Sequence, residues 1–151
     1  MPLSTLEEIR DVLQHRRKHC RDLLELSRRQ IQFIESNDFT QLMATLAQKQ
    51  RILGRLDEVK RRYPELSRQW VALRDSGMPA VRNDCESLIA DTESILAELL
   101  ESEKEGTTQL TERRDATRRR VDNNAAPIAP VAPETIATRP ERDIFATLWL
   151  A

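Results

Sequence analysis

From Leu6 to Ile34 the chain runs without a proline or a glycine, and its apolar residues return at steps of three, four and seven. Leu6, Ile9, Leu13, Cys20, Leu24, Ile31 and Ile34 therefore lie along one side of an α-helix. A helix of about 32 residues is about 50 Å long at ~1.5 Å per residue. That length does not fit inside a compact globule. It suits an elongated bundle, in which each long helix hides a narrow seam against its neighbours. Ser4 and Glu7 supply a capping box at its start.

The chain then repeats the plan. Ser36-Asn37-Asp38 is a sharp reversal, with Asp38 placed to cap the next helix and Gln41 at the offset that can reach back to it. The second helix, about 39–62, carries Phe39, Leu42, Leu46, Lys49, Leu53 and Leu56 as its seam. So short a connection makes the two helices antiparallel neighbours. Tyr63-Pro64 ends or kinks this helix. A short amphipathic piece follows at about 65–75, with Leu66, Trp70 and Leu73 on one side, and Gly77 and Pro79 close it. The third long helix is expected over 79–120, with Val81, Cys85, Leu88, Ile95, Leu99 and Leu110 as its stripe. Gly106-Thr107-Thr108 predicts fraying or a bend, since the glycine alone costs about 1 kcal/mol. Residues 1–121 thus read as an all-α antiparallel bundle with coiled-coil-like seams. The Pro/Ala-rich stretch 122–142 reads as a flexible linker, and 143–151 as an apolar tip.

Composition agrees with an all-helical chain and narrows its chemistry. Aromatic residues make up 4% and charged residues 32%, with three glycines in 151 residues, which suits long helices and starves a β-rich fold. A net charge of −1 gives no strong field for nucleic acid or anionic lipid. No apolar run approaches a membrane span or a secretory signal, so a soluble, cytoplasmic protein is expected, with Cys20 and Cys85 as buried free thiols.

No phosphate-binding loop, dinucleotide turn, nucleophile elbow or metal-protease helix appears, which predicts a protein that is not an enzyme and uses no cofactor. His15 and His19 stand four apart on one helix face, but Arg16, Arg17, Lys18 and Arg21 surround them and oppose a dication. A solvated basic face is the expectation. The arginine-rich segment 113–120 lacks interleaved aromatics for base stacking and is better explained as cations near a helix C-terminus. Lys49 is expected to lay its methylenes along the seam and hold its ammonium at the edge.

The stretch LLELSRRQIQFIESNDFTQLMATLAQKQRILGRL, residues 23–56, resembles the FlgN-like flagellar export chaperone family. There a long helix ends in a short polar turn, and the next runs Leu-x-x-x-Leu-x-x-Lys-x-x-Leu-Leu. The pattern falls here on Asp38, Leu42, Leu46, Lys49, Ile52, Leu53 and Leu56. The chain departs from the family in carrying Arg28, Arg29 and Gln30 before the turn, where glutamates are usual. The resemblance implies a cytoplasmic chaperone that escorts the amphipathic ends of hook-associated proteins to the type III export apparatus. The competing expectation is a structural adaptor or oligomeric scaffold, with a homodimer among its forms. On the chaperone reading, cargo binds the distal third helix around Leu96, Leu99, Leu100 and Leu110. Ile144, Phe145, Leu148 and Trp149 in the tip would gather on one helical face. They would serve either as a displaceable internal ligand or as a plug on the bundle end.

Overall fold

The computed structural model describes residues 3–124, and all regular structure among them is helical. Four helices follow one another: α1 Leu6–Glu35, α2 Phe39–Arg62, α3 Leu66–Leu73 and α4 Pro79–Asn124. Helix α1 is the hub, packing against α2 on one side and, most extensively, α4 on another. No described helix is long and apolar enough to cross a membrane.

The start of α1 is capped one residue later than the sequence predicts. The Thr5 hydroxyl accepts the Glu8 N–H at 3.3 Å, and the Glu8 carboxylate turns back to accept from the Ser4 N–H and hydroxyl. Thr5–Glu8 is thus the capping pair, not Ser4–Glu7, because Leu6 is the first residue in helical conformation. At the far end, Asn37 adopts a left-handed backbone (φ 57°). The Asp38 N–H reaches the Phe33 carbonyl and the Asn37 N–H the Ile34 carbonyl, a Schellman closure that satisfies the last turn. Asp38 then caps α2 by accepting the Gln41 N–H at 3.1 Å. One tripeptide therefore ends one helix and starts the next.

Burial resolves the seams into strict seven-residue repeats. In α1 the inward positions are Leu6, Ile9, Leu13, Arg16, Cys20, Leu23, Ser27, Gln30 and Ile34, and only Arg16 among them is less than fully buried. In α4 they begin Val81, Cys85, Leu88, Thr92, Ile95, Leu99, Ser102 and Gly106. Arg10–Asp84, Arg17–Asp91 and Glu35–Gln109 pair residues 74 apart in sequence, so α4 runs parallel to α1 in one register along its length. Such exposed pairs add little stability but mark the alignment. The long helices alternate direction, up, down and up, which makes α1 and α2 antiparallel and α1 and α4 parallel.

Two apolar clusters fill the seam. The first joins Leu3, Leu6, Ile9 and Leu13 to Leu66, Val81, Cys85 and Leu88, with Trp70 and Leu73 of α3 packed at its edge. The second joins Cys20, Leu23, Leu24 and Leu26 to Ile52, Leu53, Leu56 and Leu99.

The glycines separate into different roles. A Cβ on Gly77 would stand 2.2 Å from Cδ1 of the buried Leu6, so this position is glycine because α1 passes too close for a side chain. Gly54 has open space around it. Gly77→Ala is expected to cost about 1–3 kcal/mol by overpacking. Gly54→Ala should gain up to about 1 kcal/mol of helix propensity. Urea unfolding midpoints that moved in the same direction for both would contradict this assignment.

Gly106 breaks nothing. Helix α4 continues through it to Asn124, four residues beyond the expected end at Arg120, and no fraying or break appears. The glycine is buried against α1, with Gln30 and Ile31 3.5–3.9 Å from where a Cβ would lie. Packing on α1 offsets its poor propensity.

Candidate partner-binding surface

The seam changes character two-thirds of the way along α1. Beyond Leu23 and Leu99 the inward positions turn polar at Ser27, Gln30 and Ser102, with Ile34 apolar again at the end of α1. The Ser27 hydroxyl donates to the Ser102 hydroxyl at 2.8 Å, inside the bundle. Just past it, Lys49 of α2 is 1% exposed. Its ammonium donates to Gln30 Oε1 at 2.7 Å and to the Glu103 carboxylate. The expectation that this lysine holds its charge at the seam's edge is therefore corrected. A long side chain spans the space between α2 and α4, whose backbones scarcely approach each other. It stays inside because Gln30 and Glu103 together supply the acceptors that water otherwise would.

The four α4 leucines expected to bind a partner fall into different environments. Leu99 is fully buried at the centre of the second cluster and is not available as a surface residue in this conformation. Leu96 packs at that cluster's edge. Leu110 is half-buried, and Leu100 is 46% exposed. Of the four, Leu100 is the one open to solvent. Ile144, Phe145, Leu148 and Trp149 lie outside the described residues. Sequence reasoning placed Phe39 in the α2 seam, yet it is 60% exposed, and Met43, one turn on, is 65% exposed. Their i, i+4 spacing was legible; their exposure depends on α2 only beginning to meet α1 at Leu42.

Below this apolar surface the bundle end is closed by polar contacts. Gln109 Nε2 donates to Glu35 at 3.0 Å. The Arg113 guanidinium donates to the Glu35 carbonyl at 3.0 Å and to the Asn37 side chain, capping the C-terminus of α1 from outside. Part of the arginine-rich segment thus has a structural task. From Arg113 onward α4 extends for about 16 Å more, at ~1.5 Å per residue.

His15 is exposed, in keeping with a solvated basic face, while His19 is half-buried. They line an open groove of about 430 Å³ between α1 and α2, with Val12, Val59, Tyr63, Arg55, Arg62 and the carboxylates of Glu8, Asp11 and Glu58. His15 Nδ1 pairs with the Asp11 carbonyl at 2.7 Å, while His19 Nδ1 is buried without a hydrogen-bond partner. Burial, and then the nearby Arg55, lower the His19 pKa. Among the described residues no group of three or more His, Cys, Asp or Glu side chains could hold a metal.

Both cysteines are buried and unpaired. Burial pushes the Cys20 thiol up to about 11, partly opposed by Arg16, and raises Cys85 as well. The raised value means that the folded state favours the neutral thiol. Its contribution is therefore complete below the unfolded pKa near 9.0 and is lost as pH climbs from there toward 11. The loss through Cys20 should reach about 2–3 kcal/mol. Urea titrations at pH 8 and 10.5 should show a steeper decline for the native chain than for Cys20→Ala; equal slopes would reject this account.

No protein-family model, curated protein or solved structure matches the chain.

Proposed function

We propose that this chain is a cytoplasmic chaperone of the FlgN-like kind, which holds the amphipathic ends of hook-associated flagellar proteins and delivers them to the type III export apparatus. It acts by binding alone, without a cofactor and without turnover. The observation that supports this most is the set of large apolar side chains left exposed on the bundle. Phe39 and Met43 stand exposed at the α1–α2 turn and Leu100 further along α4, while Val71 and Met78 stand exposed at the opposite end. Exposed apolar side chains on a helical face are what helix-in-groove binding uses. A cargo end built for later self-assembly exposes the complementary stripe and gains from a temporary partner.

The test mixes the full chain with the isolated terminal segment of a hook-associated protein and follows binding by calorimetry and light scattering. A one-to-one complex, weakened at least about tenfold by Phe39→Asp with Leu100→Asp, is the expected result. A chain that is already a stable homo-oligomer and ignores the segment would instead be a structural adaptor. Affinity for nucleic acid that falls steeply with salt would move the protein to a third class.

A further inference from the structure

We infer that the α1/α2 surface beneath residues 102–114 of α4 receives an amphipathic helix from a partner protein, which takes the place of this part of α4 and brings a carboxylate to Lys49. The inference rests on the chaperone reading only for the source of that helix.

The two sides of this stretch of the interface do not match. From α1 and α2 come Ile31, Ile34, Leu42 and Leu46, of which Ile34 is 1% and Leu42 6% exposed. The inward positions of α4 over the same length are Ser102, Gly106, Gln109 and Arg113, and Leu110 alone offers a large apolar side chain nearby. A sequence built to stay here would present apolar side chains at these steps. The polar cover is also imperfect. Gln109 Oε1 and Arg114 Nε are buried without a hydrogen-bond partner, although Arg114 Nε lies 3.7 Å from a carboxylate oxygen of Asp115. What ties this part of α4 down at the bundle end is the set of exposed contacts from Gln109 and Arg113 to the end of α1, which water can replace at small cost. Above Ser102 the seam returns to Leu99, Ile95 and Leu88, so the N-terminal half of α4 stays in place when the distal half leaves.

Displacement carries one obligatory demand. Lys49 would lose Glu103 and keep only Gln30, and an interior ammonium with one neutral acceptor is strongly disfavoured. The entering helix must supply a carboxylate at that level. An apolar stripe gives affinity; a single acidic residue within it fixes register and selects the partner.

The experiment uses the full chain and a fluorescent peptide of about three heptads, leucine at the a and d positions and one glutamate at a central d position. Versions with leucine or lysine in place of the glutamate serve as comparisons. The glutamate peptide should bind at least roughly tenfold more tightly than either. Its binding should speed amide exchange over residues 103–124 and slow it over 30–49. Gly106→Ala, which fits the available space and strengthens the distal helix, should weaken binding about fivefold while leaving the circular dichroism unchanged. Equal affinity of the three peptides, slowed exchange over 103–124, or indifference to Gly106→Ala would each overturn the inference. A hook-associated segment that binds but protects the His15–His19 groove would overturn it while leaving the chaperone reading intact. Peptide binding as described, with no affinity for any hook-associated segment, would do the reverse.

Discussion

Lys49→Met is expected to destabilise the bundle by about 3–5 kcal/mol, whereas Lys49→Met combined with Glu103→Leu should be neutral or stabilising by up to about 4 kcal/mol. The asymmetry follows from what each variant leaves behind. The single change removes the cation and strands the Glu103 carboxylate, whose side chain is 12% exposed, together with the Gln30 carbonyl oxygen. Taking a carboxylate out of water without a counter-charge costs several kcal/mol, and a bundle of this size has about 5–15 kcal/mol in total. The double change removes both charges and leaves only the neutral Gln30 carbonyl oxygen without its donor. Urea unfolding followed by circular dichroism separates the cases. A single variant within about 1 kcal/mol of the native chain would mean that water already reaches the ammonium. The buried pair is thus weak evidence for stability and better evidence for a fixed arrangement of three helices, since only α1, α2 and α4 together satisfy Lys49.

The helices were legible because their signals are local. Proline and glycine bounded α3, the end of α2 and the start of α4, the polar tripeptide 36–38 ended α1, and the Asp38 cap followed from side-chain chemistry at one offset. The errors lie where tertiary packing decides. Ser4 read as the cap, but Thr5 takes that place because Leu6, drawn into the first cluster, begins the helix. Gly106 read as a weak point because propensity counts only the helix itself, while its cost is offset by close approach to Gln30 and Ile31. Lys49 read as an edge lysine because its acceptors come from positions 19 and 54 residues away. The candidate surface was partly legible: the leucine-rich length of α4 was found, but not which of its leucines face outward. Phe39 read as seam, and only the geometry of the turn leaves it, with Met43, exposed.

That last distinction carries the second large effect. Leu99→Asp should unfold the bundle, while Leu100→Asp should change its stability by no more than about 1 kcal/mol. The two residues are neighbours of the same type, but Leu99 occupies an inward position of the α4 repeat and is 0% exposed, whereas Leu100 points to its outer flank and is 46% exposed. Removing a buried leucine side chain costs about 2–5 kcal/mol. Placing a carboxylate among Cys20, Leu23, Ile52 and Leu53 adds several more. The sum is comparable to the whole stability of such a domain. Leu99→Asp is therefore expected to lose its cooperative thermal transition and much of its helical circular dichroism, and Leu100→Asp to keep both. A cooperatively melting Leu99→Asp would show that this part of α4 does not pack on α1. The contrast also governs how binding data are read. Loss of cargo capture by Leu99→Asp reports only that the bundle has gone. Loss by Leu100→Asp, in a chain that still melts cooperatively, locates the contact on the outer face of α4.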